Sequence, residues 1–126
     1  MTDYEEIIHK YFSSWIENKP EVLDNYFADT VLYSESYGPE YRNKAQVKKW
    51  FEDWHENGKV LRWDINGIHT DSSVYTVEWY FECEYLKTIS RFNGVSLIEF
   101  DNHGKIVTVK EFQSKAEHTY PYKDIQ

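Results

Sequence analysis

The stretch Val74-Tyr75-Thr76-Val77-Glu78-Trp79-Tyr80-Phe81-Glu82-Cys83-Glu84-Tyr85 decides the fold. Its odd positions carry Tyr75, Val77, Trp79, Phe81, Cys83 and Tyr85; its even positions carry Thr76, Glu78, Tyr80, Glu82 and Glu84. Side chains of a strand alternate between the two faces of a sheet, so the pattern reads as a half-buried antiparallel strand. A slip of one residue would expose every ring, which fixes the register. Trp79, Phe81 and Tyr85, joined by Trp15, are expected to line or floor the inner face. Glu78, Glu82 and Glu84 are expected outside, within reach of Lys110 or Arg91 on neighbouring strands.

Downstream the period of two continues, giving strands at roughly 90–101 and 105–116; upstream it gives one at roughly 60–70. The turns Asp71-Ser72-Ser73 and Asp101-Asn102-His103-Gly104 separate them, and a short strand falls near 31–35. Before Gly58 the apolar spacing is three and four instead. Tyr4, Ile7, Ile8, Tyr11, Phe12, Trp15 and Ile16 form one stripe of a helix, with Thr2 and Glu5 as its capping box. Pro20 opens a short second helix carrying Val22, Leu23, Tyr26 and Phe27. Asn43 with Gln46 caps a third, whose stripe is Val47, Trp50, Phe51 and Trp54 and whose stop is Asn57-Gly58. Helices followed by a strand meander, with no linker or repeat, predict one α+β domain over residues 1–126, a core to about 115 and a tail over 116–126. Its architecture is three N-terminal helices packed on a curved antiparallel sheet.

Composition narrows the function. Aromatic residues make up 18% of the chain, including eleven tyrosines and five tryptophans. Tyr and Trp keep a polar atom that needs a partner when buried, so they suit a pocket wall as well as a core. The net charge of −8 argues against nucleic acid and anionic membrane as partners. No apolar run approaches the ~18 residues of a membrane span. Thr2-Asp3-Tyr4-Glu5-Glu6 is acidic where a signal peptide would be basic. Cys83 is the only cysteine, which leaves no internal disulfide. A soluble cytoplasmic protein is the expectation.

The histidines His9, His55, His69, His103 and His118 lack metal-ligand spacing, and there is no glycine-rich phosphate loop or Gly-x-Ser-x-Gly elbow. Neither a metal nor a cofactor is expected. Cys83, on the apolar face of its strand, reads as an inert core thiol.

The segments Tyr11-Phe12-Ser13-Ser14-Trp15, Tyr26-Phe27-Ala28-Asp29, Phe92-Asn93-Gly94-Val95-Ser96 through Phe100, and Gly104-Lys105-Ile106 carry a resemblance. With the order helix, helix, short strand, helix, long strands, the chain resembles SnoaL-like proteins of the nuclear transport factor 2-like superfamily. That group includes ketosteroid isomerase and polyketide cyclases. The resemblance spans nearly the whole chain; it is specific for fold and poorly specific for activity. It implies a cone-shaped roll open to a ligand at one end, and a homodimer through the outer sheet face. Tyr80, Val95, Leu97 and Phe112 are the apolar residues of that outer parity.

Anchored on Phe27-Ala28-Asp29, the isomerase pattern implies that Tyr11 is a hydrogen-bond donor to substrate oxygen and Glu35 the carboxylate that moves a proton. Ser96 falls where the isomerase keeps a protonated acid. A serine is the weaker donor, so the oxyanion hole is half dismantled and steroid isomerisation is disfavoured. Independently, Val107, Val109, Glu111 and Gln113 share the inward parity of the last strand. An inward Glu111 is a site candidate, because buried glutamates are rare unless paired.

Two readings result. The first is a pocket protein binding a small hydrophobic or aromatic molecule, with Trp15, Trp79, Phe81, Tyr85, Ser96 and Gln113 as binding residues. The second is a cofactor-independent isomerase, cyclase or hydratase using Glu35, Tyr11 and Glu111.

Overall fold

The computed structural model describes residues 3–122. Three helices, α1 (Tyr4–Glu17), α2 (Glu21–Tyr26) and α3 (Lys44–Asn57), pack on a six-stranded curved sheet. The strands are β1 (Phe27–Ser34), β2 (Glu40–Tyr41), β3 (Gly58–Asp71), β4 (Val74–Tyr85), β5 (Thr88–Phe100) and β6 (Ile106–Lys115), in spatial order β2-β1-β6-β5-β4-β3. No described helix is long and apolar enough to cross a membrane.

Local signals account for most boundaries. Asp3 caps α1 by accepting from the Glu6 N–H at 3.0 Å. Asp3 thus takes the place expected of Thr2, which lies outside the described residues. At α3 the Asn43 side chain accepts from Gln46 N–H at 2.8 Å, while Gln46 Oε1 accepts from Arg42 N–H at 2.7 Å. The pair satisfies two donors at once.

The sheet departs from the expectation in three places. β1 runs parallel to β6, because the chain leaves β1 through α3 and enters the sheet again at its far edge. β2 adds a two-residue edge strand, too short to carry a period. A register shift between Glu99 and Phe100 brings Ile106 opposite Phe100 and Val109 opposite Ile98. Ile106 therefore takes the buried place expected of Val107, which is only half-buried.

The β4 parity is as read from the alternation: Val77, Trp79 and Cys83 are buried, whereas Glu78 and Glu84 are exposed. Tyr85 departs from it, at 36% exposed and stacked on Trp54 where β4 ends. The outer charges also pair differently. Glu78 bonds His69 at 2.7 Å, Arg91 pairs with Glu117, and Glu82 accepts from the Tyr80 hydroxyl. The core lies between the inner sheet face and α1, where Ile8, Tyr11 and Phe12 meet Phe27, Trp63, Ile98 and Val109.

Candidate functional site

The core does not close completely. Between α1, α3 and the inner face of the sheet lies a cavity of about 80 Å³. Its wall draws on every long strand. Trp15 comes from α1, Trp50 and Trp54 from α3, Tyr33 from β1 and Trp63 from β3. Trp79, Phe81 and Cys83 come from β4, Phe92 from β5 and Glu111 from β6, while Glu35, Ser36 and Tyr37 follow β1. All five tryptophans of the chain are in this wall.

Gly94 explains how one of them fits. A Cβ at this position would stand 2.2 Å from Trp79 Cη2 and 2.6 Å from the Phe112 carbonyl oxygen. Only a bare Cα lets the indole lie across β5. The indole N–H then donates to Ser96 Oγ at 2.9 Å.

Glu111 is the polar centre of the wall. Cross-strand pairing sets it opposite Ser96, and its Oε2 accepts from the Tyr33 hydroxyl at 2.7 Å and from Ser96 Oγ at 3.4 Å. Tyr33 spends its one proton there, so at its 2.5 Å contact with Tyr11 it is the acceptor and Tyr11 the donor. Tyr11 in turn accepts from the Trp15 indole N–H at 3.0 Å. A relay thus runs from Trp15 through Tyr11 and Tyr33 to Glu111.

The electrostatics follow from burial. Desolvation pushes the Glu111 carboxyl up from 4.5 to about 8; the nearby Glu35 adds to the rise, and the Tyr33 and Ser96 donors oppose it. Glu111 is therefore mostly protonated at neutral pH. Glu35 is also raised, chiefly by burial, against the Tyr41 hydroxyl that donates to its Oε2 at 2.7 Å. A turn holds it: Glu35 N–H donates to Pro39 O and Gly38 N–H to Glu35 O, with Gly38 at φ 111°. Burial and the Glu111 charge hold the Tyr11 and Tyr33 hydroxyls well above the ordinary tyrosine range.

The residues singled out from sequence divide. Trp15, Trp79, Phe81, Glu35 and Glu111 meet at the cavity. Tyr11 does not: it is 1% exposed and lies behind Tyr33, because the first-helix stripe turns it into the core. Tyr85 stands outside, against Trp54. Ser96 is fully buried behind the wall, reaching the cavity only through Trp79 and Glu111. Gln113 is exposed and accepts from Ser36 Oγ at 2.8 Å, beyond the wall itself.

Sequence reasoning missed Tyr33, Trp50, Trp54, Trp63 and Phe92 as wall residues. Tyr33 was within reach of it, since it stands two residues before Glu35, near the end of β1. Cys83 is also in the wall, and burial raises its thiol above its ordinary value, which leaves it a poor nucleophile. His55, on α3, has Nδ1 2.8 Å from Phe51 O and Nε2 2.9 Å from Trp15 O, tying α3 to α1 behind Trp15. Trp63 Nε1 is the one buried side-chain polar atom without a partner among the described residues. No group of three or more His, Cys, Asp or Glu side chains there could hold a metal.

Solved structures share this architecture at low sequence identity. A protein of ketosteroid isomerase-like fold from Catenulispora acidiphila, in complex with trimethylamine, matches 88% of this chain and 86% of its own at 16% identity and a TM-score of 0.76. An epoxide hydrolase of the LEH-like type from M. tuberculosis matches 88% and 82% at 12% identity and 0.79. A candidate polyketide cyclase from Pseudomonas putida matches 89% and 92% at 14% identity and 0.78. Such identities speak for the fold and leave activity open. No curated protein matches the sequence. The model of the SnoaL-like domain matches residues 8–109, from the first buried turn of α1 to the last buried residue of β6, and the chain belongs to that family.

Proposed function

We propose that this chain binds a small organic molecule in the aromatic cavity, with the apolar part of the ligand against the indoles and its polar part at Glu111 and Glu35. The observation that carries this is the convergence of all five tryptophans on one cavity that also holds two carboxyls. Hydrophobic walls with a few placed polar groups are what a ligand site requires. The trimethylamine complex of the Catenulispora protein gives a precedent for a small guest in this fold. At about 80 Å³ the cavity suits a compact ligand or the head of a longer one.

The test is a calorimetric titration with a panel of small hydrophobic and aromatic compounds. Saturable binding that is weakened by Gly94→Ala is expected; a panel without a single saturable isotherm would refute the reading.

A second reading is favoured by one observation. The acid missing at Ser96 is supplied from the paired strand, since Glu111 is held protonated against that serine. Glu35 as base and Glu111 as neutral donor, with Tyr33 behind it, would make an acid/base pair for a carbonyl substrate. Hydrogen–deuterium exchange beside the carbonyl of small ketones tests it. Exchange abolished by Glu35→Gln supports catalysis, and exchange no faster than in buffer removes it.

The same proposal includes a homodimer across the outer sheet face, a two-fold interface. Val95 and Phe112 are directly paired there, and Phe112 is 57% exposed. It also includes a cytoplasmic setting, where the lone Cys83 stays reduced.

A further inference from the structure

We infer that the cavity is shaped for a compact organic cation, an alkylated ammonium group, seated against indole rings and compensated by the Glu35 and Glu111 carboxylates. The inference rests on the reading of the cavity as a ligand site and names the class of ligand.

The charge inventory is one-sided. Among the wall residues the only ones of either charge are Glu35 and Glu111; no Lys, Arg or His of the described residues is in the wall. Neither carboxyl takes part in an ion pair among the described residues, and their donors are neutral hydroxyls. In each case the bonded oxygen is Oε2, and Oε1 accepts nothing from the described residues and is not sealed off. Both carboxyls thus line a space walled by aromatic rings.

Three kinds of guest meet this wall differently. An anion would be repelled by the Glu35 carboxylate and would find no countercharge among the wall residues. A neutral guest would fill space, leaving Glu111 its proton and the Glu35 carboxylate without a countercharge. A cation is attracted by the ring faces and by both carboxyls, its single charge offsetting one carboxylate, and the attraction is strongest where water is excluded. A compact alkylammonium suits the small volume, since its charge is spread over methyl groups that pack against rings.

A proton signature follows. In the empty cavity Glu111 holds its proton up to about pH 8. A cation favours the charged form, so binding expels that proton and affinity rises with pH towards 8. The titratable groups that share the wall with Glu111 are Tyr33, Glu35, Tyr37 and Cys83; Tyr11 lies behind Tyr33, Tyr41 bonds Glu35, and Ser96 stands opposite on β5. The four tyrosines are raised above 10 and Cys83 above 9, so only the two carboxyls change charge below pH 8.

The experiment compares choline with its neutral carbon isostere 3,3-dimethylbutan-1-ol, by calorimetry at constant chloride between pH 6 and pH 8. Choline is expected to bind at least about tenfold more tightly at pH 8, the scale of a desolvated cation–π contact. Its affinity should fall by about tenfold or more at pH 6, with proton release seen as a dependence on buffer ionisation heat. The alcohol should not follow that trend. Glu111→Gln keeps an acceptor for Tyr33 and Ser96 and should weaken choline about tenfold while sparing the alcohol. The pH profile of the unmodified protein decides the matter even if that variant folds poorly. Equal or tighter binding of the alcohol overturns the cation inference and leaves the ligand site standing. Choline binding that is independent of pH overturns it too. Failure of both probes, together with the whole neutral panel, overturns the ligand site as well.

Discussion

Replacing Glu111 by Gln should make the protein more stable at pH 8 and little changed at pH 5. The folded chain holds the Glu111 proton up to about pH 8, whereas the unfolded chain releases it near 4.5. Between those values the folded state binds the extra proton, so stability is fully present below 4.5 and is lost as pH rises through 8. At roughly 1.4 kcal/mol per unit, a rise of this size is worth up to about 5 kcal/mol. Glu111 is only half-buried by surface exposure, which softens the desolvation, so a swing of about 2–4 kcal/mol is expected. Gln carries no charge at any of these pH values, and its amide oxygen can still accept from Tyr33 and Ser96. Urea unfolding at pH 5, 6, 7 and 8, read by tryptophan fluorescence, gives the two stability profiles. Glu35 is raised as well and contributes a slope of the same sign to both proteins, so the difference between them reports Glu111 together with its coupling to Glu35. Parallel profiles, within about 0.5 kcal/mol at every pH, would refute the claim that Glu111 is held protonated by burial.

Three further outcomes are expected. Gly94→Ala should destabilise by about 1–3 kcal/mol or more and displace the Trp79 indole, because the added Cβ meets Trp79 at 2.2 Å and a backbone oxygen that cannot yield; chemical denaturation and the Trp79 Nε1–H resonance report both effects. Tyr33→Phe removes the donor that favours the charged form of Glu111, so the Glu111 midpoint should move further up in a carbon-13 carboxyl titration. Phe112→Asp should shift the sedimentation of the protein from dimer to monomer at micromolar concentration without lowering its melting temperature, since the residue is 57% exposed in the single chain.

The long elements were legible because their patterns are long. Twelve residues of alternation set the β4 register, and the α1 stripe identified its buried face except at Ile16, which is exposed. The three-residue reach of Asn43 to Gln46 marked the start of α3. What escaped were features that depend on two distant segments meeting. Glu111 was placed inward by parity alone, but its partnership with Ser96 requires the β5–β6 register, which neither strand carries by itself. Tyr11 was assigned to the pocket, although a helical stripe cannot separate a ring at the cavity from one a layer behind it; Tyr33, arriving from β1, stands between. Trp50 and Trp54 read as stripe residues of the third helix, and they pack against the core to which Trp63 belongs. Their other role appears only once α3 and β3 are seen to leave space between them.

The central claim is that the five-tryptophan cavity receives a small molecule, and the tryptophans themselves provide the most direct measurement. Each indole N–H gives its own proton–nitrogen NMR signal, and all five come from the wall of the cavity. Titrating the labelled protein with choline and with the neutral aromatic panel should shift several of these signals along one saturable curve, those of Trp63 and Trp79 among them. Compounds that bind by calorimetry while leaving every indole signal unmoved would place the ligand elsewhere and contradict the account.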